Sequence, residues 1–243
     1  MADILILHGW GWPVSVPQWV RVKELLEKQG YKVLVPDLPG FGENPSPIKP
    51  WIISDYVEWV KDFFEKNNLS QVFLLGHSFG GSVAVKFSVK YPERVRKLIL
   101  VDSAGIRKKR LKKEIQKAVA HFLNRFSFLP FYKFARKIAY RTLFKTSDYL
   151  LAEGVMKETY LNVIKEDISE IFSQIAVPTL LIWGEKDGIT PLRHANFIKN
   201  QIAGAELEII PNVRHNPQKE APEILAEKIV QFITISGGST SKN

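Results

Sequence analysis

The sequence predicts an α/β fold: a mostly parallel central sheet of about six strands flanked by helices. Three observations carry that expectation. Short runs rich in Val, Ile and Leu recur along the chain, as expected of strands buried on both faces. Stretches of helical periodicity separate them, so strand and helix alternate. At 243 residues, 45% of them apolar, the chain can bury a sizeable core.

The elements follow in order. Ile4 to Leu7 is the first strand. A helix is expected over Val16 to Gln29, because Ser15 and Gln18 stand at capping-box spacing and Gly30 closes the run. Tyr31 to Val35 is the second strand, Ile53 to Lys66 a helix, Val72 to Leu75 the third strand, Phe79 to Lys90 a helix and Leu98 to Val101 the fourth strand. The alternation then breaks. No strong strand occurs before Thr179, and Leu111, Ile115, Ala118, Val119, Phe122 and Phe126 fall on one helical face. Residues 105–170 therefore read as a helical insertion that divides a core of residues 1–104 and 171–235. Thr179 to Trp183, Leu192 to Gln201, Leu207 to Ile210 and Pro222 to Ile233 complete the alternation, and residues 236–243, SGGSTSKN, read as a flexible tail.

Composition excludes several classes of function. With no cysteine there are no disulfides, thiol nucleophiles or thiolate metal sites. The apolar runs are too short for a membrane span or a signal-peptide core, so a cytoplasmic protein is expected. The net charge is +9, but it is concentrated in one place: between Gly105 and Thr146 there are thirteen Lys or Arg and a single acid, Glu114. No nucleic-acid-binding motif accompanies this basic insertion, so nucleic acid is not an expected partner.

Chemistry is concentrated at Gly76-His77-Ser78-Phe79-Gly80, where a strand gives way to a helix. A serine at so sharp a turn is held in a strained backbone conformation, and glycines two residues before and after leave room for the chain to double back. Its hydroxyl then stands at the carboxyl edge of the sheet. The amide of Phe79, at a helix N-terminus, faces the position of a reacting carbonyl. A phosphate loop would need Gly-Lys-Ser/Thr, and Gly81 is followed here by Ser82 and Val83.

A serine becomes a useful nucleophile when a base takes its proton and a third group orients that base. Five histidines are available. His77 adjoins the serine and points elsewhere, His8 ends the first strand, His121 is in the insertion and His194 is in a predicted helix. His215 lies in the loop Pro211 to Pro217 after the last strand and can swing over the sheet edge. Asp187, in the loop after the Thr179 to Trp183 strand, is the preferred acid. Glu185 and Asp102 compete with it, and Asp102 also ends a strand.

With Ser78, Asp187 and His215 in that chain order, the sequence resembles the α/β-hydrolase family over nearly its whole length. His8-Gly9-Trp10-Gly11 is similar to the family's oxyanion loop, which implies that the amide of Trp10 joins that of Phe79. Asp37-Leu38-Pro39-Gly40-Phe41-Gly42 is similar to a turn whose role in the family is structural. Members usually carry one or two strands ahead of the oxyanion loop. Only Met1 to Asp3 precede Ile4 here, so a minimal six-stranded sheet with an unprotected edge is expected. The insertion resembles the family's lid.

The resemblance implies hydrolysis of a carboxylic ester or related acyl bond through an acyl-enzyme, with neither metal nor organic cofactor. Carbon-carbon hydrolases and perhydrolases share the same three residues, and a ligand receptor or scaffold on this fold would not turn over substrate at all. Gly9, Trp10 and Trp12 beside the oxyanion loop, with Phe122 and Phe126 in the insertion, suggest an apolar acyl pocket. The basic insertion suits an anionic membrane surface or an acidic carrier protein. The HGWG and DLPGFG wording is similar to that of pimeloyl-carrier-protein methyl esterases.

Overall fold

The computed structural model describes residues 3–11, 16–107 and 153–234. Within them, six parallel strands form one sheet: β1 (Asp3–Leu7), β2 (Lys32–Leu34), β3 (Val72–His77), β4 (Val95–Val101), β5 (Thr179–Gly184) and β6 (Glu206–Ile210). Six strands is the expected number, and their order is β2-β1-β3-β4-β5-β6. Described helices are α1 (Val20–Lys28), α2 (Ile53–Lys66), α3 (Phe79–Lys90), α4 (Gly154–Lys165), α5 (Leu192–Gln201), α6 (Pro217–Glu220) and α7 (Pro222–Thr234).

Alternate residues of each inner strand feed two cores, because side chains leave a strand on opposite faces. Leu5, Leu7, Leu74, Leu98, Leu100, Leu181 and Trp183 join Val57, Phe64, Val83, Phe87 and Ile198 from α2, α3 and α5. Ile4, Ile6, Leu75, Ile99, Val101 and Ile182 pack with Val22 and Leu26 of α1 and Leu225 and Ile229 of α7. Both faces are dry over the centre of the sheet, so Ile4 to Leu7, Val72 to Leu75, Leu98 to Val101 and Leu180 to Trp183 are continuously apolar.

Three expectations need correction. The last strand is not buried on both faces: Glu206, Glu208 and Ile209 are exposed, since among the described residues β6 has β5 as its only neighbour. The opposite edge is β2, where Lys32 is exposed and the strand is only three residues long. The first helix is entered through a 3₁₀ turn at Val16–Trp19, and no side chain caps α1; Ser15 lies outside the described residues. Finally, the short α6 precedes the last helix and was not anticipated.

Of the predicted insertion, residues 105–107 and 153–170 are described. Phe122, Phe126, His121 and the basic run from Lys108 to Lys145 lie outside the described residues, as do Trp12 and the tail 236–243. The described part includes α4, which buries Met156, Thr159, Tyr160 and Val163. It is fastened to the segment before α2 and to α3: Trp51 N–H donates to Thr159 Oγ1 at 3.0 Å, and Lys86 of α3 pairs with Glu166 just after α4. No helix among the described residues is long and apolar enough to cross a membrane.

Candidate active site

All strands are parallel, but successive strands are added on one side of β1 for β2 and on the other for β3, and open α/β sheets have a crevice at the carboxyl ends of strands flanking such a switch in strand order. His8, Gly9 and Trp10 leave β1 there, and Ser78 leaves β3 beside them. Ser78 sits at φ +50° and ψ −116°, a backbone conformation that L-residues rarely adopt. The turn is held by Ser78 N–H donating to the Val101 carbonyl at 3.1 Å, while the Ser78 carbonyl accepts from Gly81 and Ala104.

Both glycines beside this turn are required by space. A Cβ on Gly80 would lie 2.1 Å from the Leu7 carbonyl oxygen, and one on Gly76 would lie 2.5 Å from that of Gly80. Strand β1 and helix α3 thus touch backbone to backbone at the serine.

Three of the predicted residues come together. Ser78 Oγ is 2.9 Å from His215 Nε2, and His215 Nδ1 is 2.8 Å from Asp187 Oδ2. The side chain of Asp187 is inaccessible to solvent. Burial opposes its ionisation, but the hydrogen bond and charge of His215 and the bonds from Thr190 outweigh burial and hold the carboxyl below its ordinary range. Its Oδ1 accepts the amides of Ile189 at 2.7 Å and Thr190 at 3.0 Å, and Thr190 Oγ1 lies 2.5 Å from Oδ2. Trp183 Nε1–H donates to the Thr190 carbonyl at 2.6 Å, which fixes this loop to β5.

The competing carboxyls have other partners. Glu185 accepts the Asn212 amide at 2.8 Å and braces the loop that carries His215. Asp102 is fully buried at the end of β4, where Oδ1 accepts the Gly184 amide at 2.9 Å.

Neither of the other described histidines near the crevice is a candidate base. His8 Nε2 accepts the Leu38 amide at 3.0 Å, with Nδ1 2.8 Å from the Gly9 carbonyl, so it joins the loop after β1 to the Asp37–Gly42 turn. Burial lowers its pKa to about 4. His77 Nε2–H donates to the His215 carbonyl at 2.9 Å, and burial lowers its pKa to about 3. His77 therefore holds the backbone of the loop whose side chain reaches Ser78.

His77, Asp102 and His215 each place one potential ligand atom within 4.8 Å of the others. As a metal site the set is poor, because both His215 nitrogens and His77 Nε2 already make hydrogen bonds.

Phe79 opens α3, and Trp10 follows Gly9. Neither backbone amide has a hydrogen-bond partner among the described residues. The Trp10 indole packs edge-on against Phe41, Phe79 and Tyr160 at centroid distances of 4.8, 5.3 and 5.1 Å. Gly9 is buried, and a Cβ there would meet His77 Nδ1 at 2.7 Å. Of the predicted pocket residues, only Gly9 and Trp10 lie within the described structure.

Two features escaped the sequence reading. Thr190 was visible only as one loop threonine, three residues after the chosen acid, and Tyr160 comes from a helix with no sequence motif. Nothing local marked Thr190 as a partner of Asp187 or Tyr160 as a neighbour of Trp10.

Residues 4–222 match the family model for the alpha/beta hydrolase fold. The chain is 29% identical over 247 residues to Lipase 1 of Psychrobacter immobilis, with 96% of this chain and 77% of that protein covered. It is also 29% identical over 244 residues to a putative esterase/lipase of Mycoplasma genitalium, covering 94% and 88%. Among solved structures, a putative lipase from Acinetobacter baumannii AYE superposes with a TM-score of 0.70 at 26% identity, covering 96% of this chain and 83% of that one.

Proposed function

This chain belongs to the α/β-hydrolase family, and from that premise we propose that it is a serine hydrolase that cleaves carboxylic esters through Ser78, His215 and Asp187. The observation that carries the reading is the unbroken hydrogen-bonded line from a serine at positive φ through an imidazole to a buried carboxylate. Relatives named as lipases and esterases support an ester as the substrate class.

In this mechanism His215 Nε2 takes the Ser78 proton as Oγ attacks the carbonyl. The proton then passes to the leaving alkoxide, and His215 activates water to release the acid. Asp187 keeps Nδ1–H pointed at itself and stabilises the imidazolium. The amides of Trp10 and Phe79 receive the oxyanion. Neither has another partner among the described residues, which supports this role, because donors with no bond to break need no rearrangement as negative charge develops. Trp10, half-buried beside Gly9 and packed on Phe41 and Tyr160, favours an apolar acyl group. Residues 105–170 act as the lid in this reading.

The test uses p-nitrophenyl esters of graded chain length together with a fluorophosphonate label. Native protein should turn over at least one ester and take up one label. Ser78→Ala should do neither, with loss of kcat on the ~10⁶ scale seen when a triad serine is removed. A folded Ser78→Ala protein with native turnover would refute the assignment, and a native protein inert to every ester and to the label would favour a receptor or scaffold.

A further inference from the structure

Two buried hydrogen-bond donors on the α4 side of the crevice, Arg107 Nε and Trp10 Nε1, have no acceptor among the described residues. Arg107 ends the segment that leaves β4. Its amide donates to Asp167 Oδ2 at 3.2 Å, and its Nη2 reaches the Val163 carbonyl of α4 only at 3.5 Å. The acids nearest to it in that segment are engaged elsewhere: Asp167 Oδ1 also accepts the Ser169 amide at 2.9 Å, and Glu166 pairs with Lys86. The guanidinium forms no ion pair with a described carboxylate.

Burial lowers the pKa of this guanidinium, and Tyr160 and Asp167 oppose that shift. A part-buried cation with no counter-ion is unfavourable, and an anion brought against it would offset the loss of hydration. Tyr160 links the cation to the reacting centre. Its ring lies 5.1 Å from that of Trp10, and Val163, whose carbonyl Arg107 approaches, is one turn further along α4. Trp10 follows Gly9, and its amide is one of the two donors assigned above to the oxyanion. Arg107 thus stands beyond the aromatic pair on the side away from Gly9.

We propose that Arg107 binds a carboxylate at the far end of the substrate's acyl chain, so that the preferred substrates are half-esters of short dicarboxylic acids. The methylenes lie on Trp10 and Tyr160, and the free carboxylate meets the guanidinium. Arginine suits that role because its planar fork presents Nε and Nη donors together to two carboxylate oxygens. The proposal rests on the serine-hydrolase reading and adds a substrate class to it. Arg107 contacts the substrate and takes no part in bond making.

The experiment compares monoethyl succinate, glutarate and adipate with ethyl butyrate, valerate and hexanoate, pair by pair at equal chain length. Hydrolysis is followed by acid release at low salt in the native protein, Arg107→Met, Arg107→Lys and Ser78→Ala. In at least one pair the native kcat/KM should favour the half-ester. Arg107→Met should lower the ratio of anionic to neutral ester by at least about tenfold, chiefly through KM, because a charge-assisted hydrogen bond is lost. Arg107→Lys should retain part of the preference. Melting temperature separates this role from a structural one: removing an unpaired buried charge should leave it level or raise it. A lowered melting temperature with an unchanged ratio is what a purely structural arginine gives, and it would overturn the proposal while the hydrolase reading stands. Binding is measured apart from turnover by calorimetry, where native protein should hold glutarate at least about tenfold more tightly than uncharged glutaramide. Equal affinities overturn the proposal by themselves, even if neither Arg107 variant folds. Undiminished hydrolysis by Ser78→Ala would overturn the hydrolase reading and this proposal with it.

Discussion

Replacing Asp102 by Asn should change how folding stability depends on pH, and the size of the change follows from three buried groups. His8 and His77 have pKa values lowered from 6.5 to about 4 and about 3 in the folded protein. The unfolded chain therefore binds protons that the fold refuses, so the stability these groups contribute is complete above 6.5 and lost as pH falls toward 4 and 3. Asp102 acts in the opposite sense. Its pKa rises from 3.8 to about 9, so its contribution is complete below 3.8 and lost as pH rises through 9. Each group changes stability by about 1.4 kcal/mol per pH unit inside its window. Going from about pH 8 to pH 5, each histidine subtracts roughly 2 kcal/mol, and Asp102 adds roughly 4. The sum is close to zero in the native protein. In Asp102→Asn the offsetting gain is absent, so unfolding free energy should fall by about 4 kcal/mol over the same interval. Urea unfolding at three pH values across that range measures it. Parallel native and variant profiles would refute the reasoning, because they would mean that Asp102 is ionised in the fold at neutral pH or that its proton is equally held when unfolded.

Other predictions address packing, anchoring and charge. Gly80→Ala forces a Cβ to 2.1 Å from the Leu7 carbonyl, so the urea midpoint should drop by an amount equivalent to at least about 1–3 kcal/mol; an unchanged midpoint would contradict the close approach of β1 and α3. Thr190→Val removes the hydroxyl 2.5 Å from Asp187 Oδ2. Since a hydrogen bond to a charged group contributes about 1.5–3 kcal/mol, kcat should fall roughly tenfold or more with KM little changed. A change confined to KM would place Thr190 in substrate binding instead. Changing Lys108, Lys109, Lys112 and Lys113 to Gln should raise KM for an ester presented on anionic vesicles or an acidic carrier at low salt and leave a neutral short-chain ester unaffected. The Debye length shrinks from about 10 Å at 0.1 M to about 3 Å at 1 M, so high salt should erase the difference. Equal behaviour of all substrates would make the basic run ordinary surface.

Local signals determined most of the architecture. The runs Ile4 to Leu7, Val72 to Leu75, Leu98 to Val101 and Leu180 to Trp183 are apolar at every position because both faces of the inner sheet are covered, so their burial was legible without a structure. The turn at Ser78 was legible for a similar reason: the glycines at 76 and 80 answer a steric demand within five residues of chain. What tertiary structure alone decided depends on contacts between segments far apart in sequence. The pattern of β6 resembles that of an inner strand, and only the count of its neighbours exposes Glu208 and Ile209. Asp187, Glu185 and Asp102 all follow strands and are chemically alike. Distance separates them: Asp187 faces His215 Nδ1, Glu185 turns to the Asn212 amide, and Asp102 is bound to Gly184 in a dry place beside the other carboxyl. The same holds for His77, whose ring sits next to the serine in sequence yet spends its N–H on a carbonyl 138 residues away. Side-chain chemistry is written in the sequence, but the partner that gives each ionisable group its charge state is chosen by the packing of loops at the sheet edge.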